Sequence, residues 1–328
     1  MASLKEIASA LGLSVATISY VYNGKWREQG IREATAERVK EALRAYRPNV
    51  IGRQLRSGKT QTIGIVLADL TRSYSLKMLA AIEKELAAAQ YLAILCNADL
   101  GVWEVSHLQT LLSRRVDGII FAPQAIDSES DILLELEQKQ TPFIQVDNHI
   151  ESLEADFVVT DNRWGACQAV RRLLRNGRRN IAYLGSCKPL ASLQDRFVGY
   201  VDALRERGLE PANGRVQRVS DASGAIVAAL EKILEIDKPD AIFVESFLYF
   251  REGIHWLRAH GIRIPQDVEL AGFDAPDFGP FPSAVIHVEQ DAQRMGEMAA
   301  HRLLERIRHQ GCVAGEPLRE FIRPILRF

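Results

Sequence analysis

Along residues 4–11 (LKEIASAL) the apolar positions Leu4, Ile7, Ala8 and Leu11 fall at i, i+3, i+4 and i+7, which predicts a short amphipathic helix. Gly12 follows, where a left-handed residue can end the helix and turn the chain, and Ser14 is placed to cap the next one. Residues 15–22 (VATISYVY) then predict a second short helix. Its β-branched content lowers intrinsic propensity, so tertiary packing has to hold it. Helix, glycine turn and helix within about twenty residues is a helix-turn-helix pattern. A third helix is predicted from Glu33 to Tyr46, stopped at Arg47-Pro48-Asn49 because Pro48 has no N–H and disfavours helix before it. The segment 49–57 (NVIGRQLRS) predicts one more short helix, marginal on its own because isolated helices need about 12 residues. Ser57-Gly58-Lys59-Thr60 is a polar linker, and the domain boundary is placed there.

From Thr62 the period changes. Buried-type strands are predicted at 62–68, 91–96, 117–121 and 142–146, with amphipathic helices at 75–89, 103–114 and 129–139 between them. After 156–161 the alternation restarts, with strands at 180–185, 215–219, 241–245 and 268–273 and helices at 163–176, 192–207, 223–235 and 248–260. Alternating β and α elements imply parallel sheets with helices on both faces, here in two similar halves. The fold class is therefore an all-α headpiece joined to a two-lobed α/β body. Ligands in such sheets bind beyond the carboxyl ends of the strands, so a cleft between the lobes is the expected pocket.

Charge adds to this picture. The net charge of −1 conceals an asymmetry: residues 1–60 carry eleven Lys and Arg against five Glu, a net of +6, and the rest carries 30 basic and 37 acidic residues, a net of −7. A basic head on an acidic body fits a DNA-binding module fused to one that does not bind DNA. Cys96, Cys167, Cys187 and Cys312 form no CxxC pair, which disfavours structural zinc and a disulfide framework and favours free thiols in a reducing cytoplasm. The N-terminus lacks the layout of a signal peptide, and no apolar run reaches the roughly 18 residues of a membrane span. SGKT (57–60) imitates the tail of a phosphate loop, but Gly52 is one residue off register and no strand leads into it. GxGxxG after the first strand, GxSxG, HExxH and clustered His/Cys sets are missing, so neither an enzyme nor a cofactor is expected.

Several segments together resemble the LacI/GalR family of regulators: IASALGLSVATISYVYNG (7–24), TAERVKEAL (35–43), YRPN (46–49), QLRSGKTQTIGIVLADL (54–70), RRVDGIIF (114–121), PFIQVDN (142–148), VVTDN (158–162), IPQDVELAGFD (264–274) and 284–300. The loop 23–35, Tyr20 and VESF (244–247) look most like the fructose and sucrose repressor branch. The resemblance implies a headpiece (1–47), a hinge helix and linker (48–60), and an effector-binding and dimerisation body (61–328). Its first lobe would span about 61–160 and 290–318, its second about 161–289 and 319–328. One departure is that only eight steps separate Arg38 from Tyr46, two fewer than usual, which puts the end of the third helix in question.

The resemblance puts Val15, Ala16 and Tyr20 at the groove-facing positions. Many relatives carry Arg where Tyr20 stands, and a tyrosine cannot make the bidentate contact to guanine that an arginine makes. Ser14, Thr17 and Asn23 would contact phosphates, which position without specifying. Ordinary core packing is the alternative for Val15 and Ala16. Leu55 matches a hinge leucine that wedges into the minor groove, flanked by Arg53 and Arg56 near phosphates. For the effector, the resemblance implies Asp69, Tyr74, Asp147, Ser192, Arg196, Ser246 and Asp274, and Phe247 and Tyr249 are the residues available for an aromatic wall. Asp161 is assigned to a crossover between the lobes. One arginine with aspartates on both sides suits a neutral polyol, a sugar acid or a sugar phosphate. The expectation is a cytoplasmic repressor that binds a pseudo-palindromic operator under control of a small sugar-like effector. With no heptad after the strand at 318–327, it is expected to be a homodimer rather than a tetramer. The alternative is a solute-binding protein without DNA function.

Overall fold

The structure, a computed structural model, describes residues 4–44, 59–127, 129–212, 214–274, 285–309 and 316–327. The chain divides into two units, Met1–Lys59 and Thr60–Phe328.

In the first unit α1 (Leu4–Leu11), α2 (Val15–Tyr22) and α3 (Glu33–Leu43) enclose a small core of Ile7, Ala8, Ile18, Val21, Ala36 and Val39, rimmed by Leu11, Trp26 and Ile31. Gly12 adopts φ +65°, and the turn closes through Leu13 N–H to the Ala8 carbonyl at 3.0 Å. Ser14 caps α2 by accepting from the Thr17 N–H at 3.0 Å. Ile18 is fully buried, which offsets the weak propensity of a β-branched helix by about 1.5–3 kcal/mol. The expected extension of α3 to Tyr46 and the hinge helix lie outside the described residues.

The second unit holds β1 (Thr62–Leu67), α4 (Ser73–Ala88), β2 (Leu92–Asn97), α5 (Glu104–Ser113), β3 (Gly118–Phe121), α6 (Asp131–Gln138), β4 (Phe143–Val146) and β5 (Phe157–Thr160) in its first lobe. The second lobe holds α7 (Asn162–Arg175), β6 (Ile181–Ser186), α8 (Ala191–Arg205), β7 (Val216–Val219), α9 (Ser223–Asp237), β8 (Ala241–Val244), α10 (Phe247–Ala259), β9 (Glu269–Phe273) and β10 (Ile286–Glu289). Then α11 (Ala292–Arg308) returns to the first lobe, and β11 (Arg319–Ile322) and β12 (Ile325–Arg327) end the described chain. The first sheet runs β2-β1-β3-β4-β5-β11 and the second β7-β6-β8-β9-β10-β12. Pairing is parallel throughout except for β12 against β10.

Predicted elements of the body appear with ends shifted by at most two residues, but the pattern reading assigns no elements to β10 and α11. The expectation for the last strand is corrected. It is two strands, not one, and β11 belongs to the first sheet, paired with β5, rather than to the second lobe. Pro324 lies between them and supplies no N–H to continue a ladder, so the chain changes sheets there.

The chain crosses between the lobes near residues 161, 290 and 323. Asp161 and Asp291 cap the helices that follow, accepting from Trp164 N–H and Arg294 N–H at 3.0 Å each. The first two crossings are linked: Thr160 Oγ1 donates to Gln290 Oε1 at 2.7 Å, with both side chains buried. At the far edge of the first lobe, buried Asp156 accepts from Arg306 Nε (2.7 Å), Arg302 Nε (3.2 Å) and the Leu318 N–H (2.7 Å). Burial alone would raise this carboxyl, but the Arg306 hydrogen bond and its neighbours hold it below the usual range.

Candidate DNA interface and effector cleft

Helix α2 turns Ile18 and Val21 into the headpiece core and leaves Ser14, Val15, Ala16, Tyr20 and Asn23 exposed, with Thr17 half-buried. Val15 and Tyr20 are 42% and 38% exposed, so the core-packing alternative for Val15 and Ala16 does not hold. Ser14 Oγ lies 2.9 Å from Thr17 Oγ1, and Asn23 Nδ2 donates to the Ser19 carbonyl at 2.8 Å. These three polar side chains secure the two ends of the helix beside the exposed apolar face. Trp26, in the loop after α2, is flanked by Arg27 and Lys40 at 4.9 and 5.5 Å from its ring centroid. Arg53, Leu55 and Arg56 lie outside the described residues.

In the body, Asp69, Tyr74, Asp147, Ser192, Arg196, Ser246 and Asp274 line one cleft. It is built from the carboxyl ends of strands in both sheets, as the alternating topology requires. Phe247 stands apart, lining a neighbouring recess that shares Arg72, Tyr74, Asp274 and Gln290 with the cleft. Tyr249 corrects the expected aromatic wall. It is buried under the second sheet, donating to the Val219 carbonyl at 2.7 Å. Sequence reasoning missed Arg72, Gln124, Ser186, Lys188, Asp221 and Gln290. Asp221 follows β7 as Asp147 follows β4, so the same strand-end rule would have found it.

Arg196 sits at the floor, 4% exposed. Its Nε donates to Asn162 Oδ1 (2.7 Å), its Nη1 to the Glu245 carbonyl (2.8 Å), and its guanidinium stacks 3.9 Å from the Phe273 ring centroid. These contacts fix the planar fork before any ligand arrives. Asp147 and Asp274, at the ends of β4 and β9, both adopt left-handed backbone conformations, φ +66° and +54°. Burial raises the Asp147 carboxyl, while Arg196 and Arg72 pull it down. Burial and the nearby Asp147 raise the Tyr74 phenol well above its usual range. Asp274 Oδ2 accepts from Gln290 Nε2 at 2.7 Å. A chain of hydrogen bonds thus runs from a cleft carboxylate through Gln290 to Thr160, touching two of the three crossings.

Asp69 is largely occupied locally, accepting from Thr71 N–H (2.9 Å), Thr71 Oγ1 (2.7 Å) and Arg72 Nε (3.0 Å). Burial would raise its carboxyl, and the Thr71 and Arg72 contacts bring it below the ordinary value. Lys188 pairs with Asp221 at 2.9 Å. Ser192 reaches across the cleft, its N–H donating to Asn148 Oδ1 at 3.1 Å.

Beneath the cleft, fully buried Glu245 accepts from Tyr183 Oη and from the Ser186 N–H. Burial pushes its carboxyl up to about 7 from 4.5 in the unfolded chain, against the lowering effect of those bonds. The folded state therefore holds an extra proton between about pH 4.5 and 7, and stability falls as pH rises through that interval. The accumulated loss is about 3 kcal/mol at 1.36 kcal/mol per pH unit. Glu245→Gln cannot ionise. It should flatten the melting temperature between pH 5 and 8 and melt above the wild type at pH 8; an unchanged profile would remove Glu245 as the source.

Among the described residues, no group of three or more His, Cys, Asp or Glu side chains could hold a metal ion. No single described helix is long and apolar enough to cross a membrane.

A cleft of this kind, between two lobes crossed three times by the chain, defines a solute-binding body, and it accompanies a helix-turn-helix unit. Residues 60–318 match the periplasmic binding proteins and sugar-binding domain of the LacI family, and residues 3–49 match the bacterial regulatory proteins of the lacI family. The chain belongs to the LacI family, and it is a DNA-binding transcription regulator with a ligand-binding body. Similar proteins include the catabolite control protein A of Priestia megaterium, 30% identical over 277 residues (83% of this chain, 82% of that protein). The transcriptional repressor PurR of Photobacterium profundum is 28% identical over 317 residues, covering 94% and 92%. Among solved structures, the lac repressor dimer bound to operator and an anti-inducer aligns with a TM-score of 0.80 at 19% identity over 100% of this chain and 98% of that one. The regulator CelR in complex with cellobiose aligns at 0.72 and 24%, covering 100% and 99%; at these identities the likeness concerns the fold.

Proposed function

We propose that this protein is a cytoplasmic transcriptional repressor, not an enzyme, whose operator affinity is set by a small sugar or sugar derivative in the interlobe cleft. The observation that carries this reading is the convergence of Asp69, Tyr74, Asp147, Ser192, Arg196, Ser246 and Asp274, from both lobes, on one cleft in a chain that also exposes Val15, Ala16 and Tyr20 on a helix-turn-helix. A ligand bridging the lobes changes their relative stability in open and closed arrangements, which is the differential affinity a switch requires. Engaging Asp274 also loads the hydrogen bond to Gln290, and through it Thr160, so occupancy is felt where the lobes join.

A pseudo-palindromic operator would need two headpieces, hence a homodimer. Leu76 on α4 and Leu92 on the edge strand β2, 51% and 67% exposed, support a face that a second copy covers. Gel shifts on a pseudo-palindromic operator across salt concentrations test the reading. A regulator binds specifically with a steep salt dependence, whereas a solute-binding protein without DNA function gives no specific complex.

Readout by α2 leans on Tyr20, which offers one hydrogen bond and an aromatic face. Tyr20→Ala should weaken specific operator binding by about 1–2 kcal/mol, roughly 5- to 30-fold, and leave non-specific binding and the salt slope unchanged. Competition titrations with operator and random duplex measure both. Equal weakening on both duplexes would assign Tyr20 to the phosphates instead.

A further inference from the structure

The charges of the cleft narrow the class of effector. Among the described residues it is lined by three cations, Arg72, Lys188 and Arg196, and four carboxylates, Asp69, Asp147, Asp221 and Asp274. Two of the cations are engaged in ion pairs within the protein: Arg72 with Asp69 at 3.0 Å and Lys188 with Asp221 at 2.9 Å. Asp147 and Asp274 are then left with Arg196 and, for Asp147, a share of the field of the already paired Arg72, and two of the Arg196 donors already go to Asn162 and the Glu245 carbonyl. The pocket is rich in acceptors and short of uncommitted positive charge.

We infer that the effector is a neutral polyhydroxy compound, an unphosphorylated and uncharged sugar, whose hydroxyls donate to Asp147 and Asp274 and accept from Arg196. The inference rests on the effector-controlled reading above and deepens it. A hydroxyl both donates and accepts, so vicinal hydroxyls satisfy two carboxylates and a guanidinium at once. A phosphate or carboxylate group only accepts at neutral pH. It would bring no donor to Asp147 or Asp274. To gain a cation it would have to draw Lys188 from Asp221 or Arg72 from Asp69, exposing a further carboxylate to like charge inside a half-buried cleft. Like charges at such distances are strongly unfavourable where water is scarce. The amino ends of α4, α8 and α10 at Ser73, Ala191 and Phe247 lie close to the cleft, and their caps Arg72, Leu190 and Ser246 make no side-chain capping bond. Their fields favour negative charge. The cleft carboxylates themselves already supply it.

The test is a thermal melt of the full chain with D-glucose, D-fructose, D-ribose and sucrose, each beside its phosphorylated or acid form (glucose 6-phosphate, fructose 1-phosphate, ribose 5-phosphate, sucrose 6-phosphate, gluconate), and with inorganic phosphate at matched ionic strength. Operator binding by fluorescence anisotropy is recorded on the same samples. At least one neutral sugar should raise the melting temperature and alter operator binding, with its charged form about tenfold weaker or worse. Asp274→Asn should weaken the neutral sugar and narrow that preference. A charged form that binds more tightly than its neutral parent, or a panel in which no neutral sugar shifts the melt, overturns the inference. If a charged form both binds and changes operator affinity, regulation by an effector stands and only its neutrality fails. If a sugar binds and operator affinity never moves, the regulatory reading fails instead.

Discussion

Replacing Arg196 by alanine should abolish the response to effector while leaving operator binding in its absence intact. The guanidinium is a buried cation of the cleft, and its orientation is set by Asn162, the Glu245 carbonyl and the Phe273 ring. Truncating a buried, hydrogen-bonded charge in a binding site costs about 2–5 kcal/mol, roughly 30-fold to several-thousand-fold in affinity. Two acceptors also lose their donor, so the body loses on the order of 1–3 kcal/mol of stability. Arg196→Lys separates the contributions: it keeps the charge and loses the fork, and it should recover stability more than affinity. Isothermal titration with the sugar found by the melting panel, beside operator anisotropy, checks the prediction. Parallel loss of sugar and operator binding would mean that Arg196 holds the fold together rather than the ligand.

The largest effect on stability is expected at Asp156. This buried carboxylate ties α11, the chain before β5 and the chain before β11 through Arg302, Arg306 and the Leu318 N–H. Asp156→Ala leaves two arginines without their shared acceptor and a backbone donor without a partner, a loss of about 3–5 kcal/mol for a broken buried pair. For a unit of this size that is a drop in melting temperature on the order of 10 °C. Asp156→Asn keeps an acceptor for the Leu318 N–H and should lose less. Because its carboxyl titrates below the usual range when folded, the Asp156 contribution is present at neutral pH and begins to be lost only as pH falls below about 4, toward the lower folded value. Urea melts at pH 7 and pH 3 measure this: the gap between the wild type and Asp156→Ala should be smaller at pH 3 than at pH 7. A constant difference would assign the effect to packing.

Much of this was readable along the chain, for identifiable reasons. Periods of 3.6 and near-continuous apolar runs marked the headpiece helices and the strands of both lobes, because those segments bury one stripe or both faces. The resemblance named Asp147 and Asp274, and both line the cleft at the ends of their strands, since parallel β-α units bring all their carboxyl ends to one side. The aromatic-wall expectation failed for Tyr249, where one step around a helix turns a side chain from the cleft to the sheet, a difference sequence spacing does not resolve. The split between β11 and β12 depends on Pro324 and on which sheet edge is open, a tertiary fact. The high carboxyl of Glu245 was also invisible, because a glutamate at the end of AIFVE reads as solvated until Tyr183 and Ser186 are seen closing over it.

One titration addresses the coupling between DNA reading and sugar binding. An operator duplex selected by the protein itself from a random pool is labelled and titrated with the full chain, with and without a saturating neutral sugar. Sugar affinity is then measured with and without that duplex. Coupled sites change each other's affinity by the same factor, and the account predicts two equal ratios of at least about fivefold. Ratios of one, with both ligands bound at once, would contradict it.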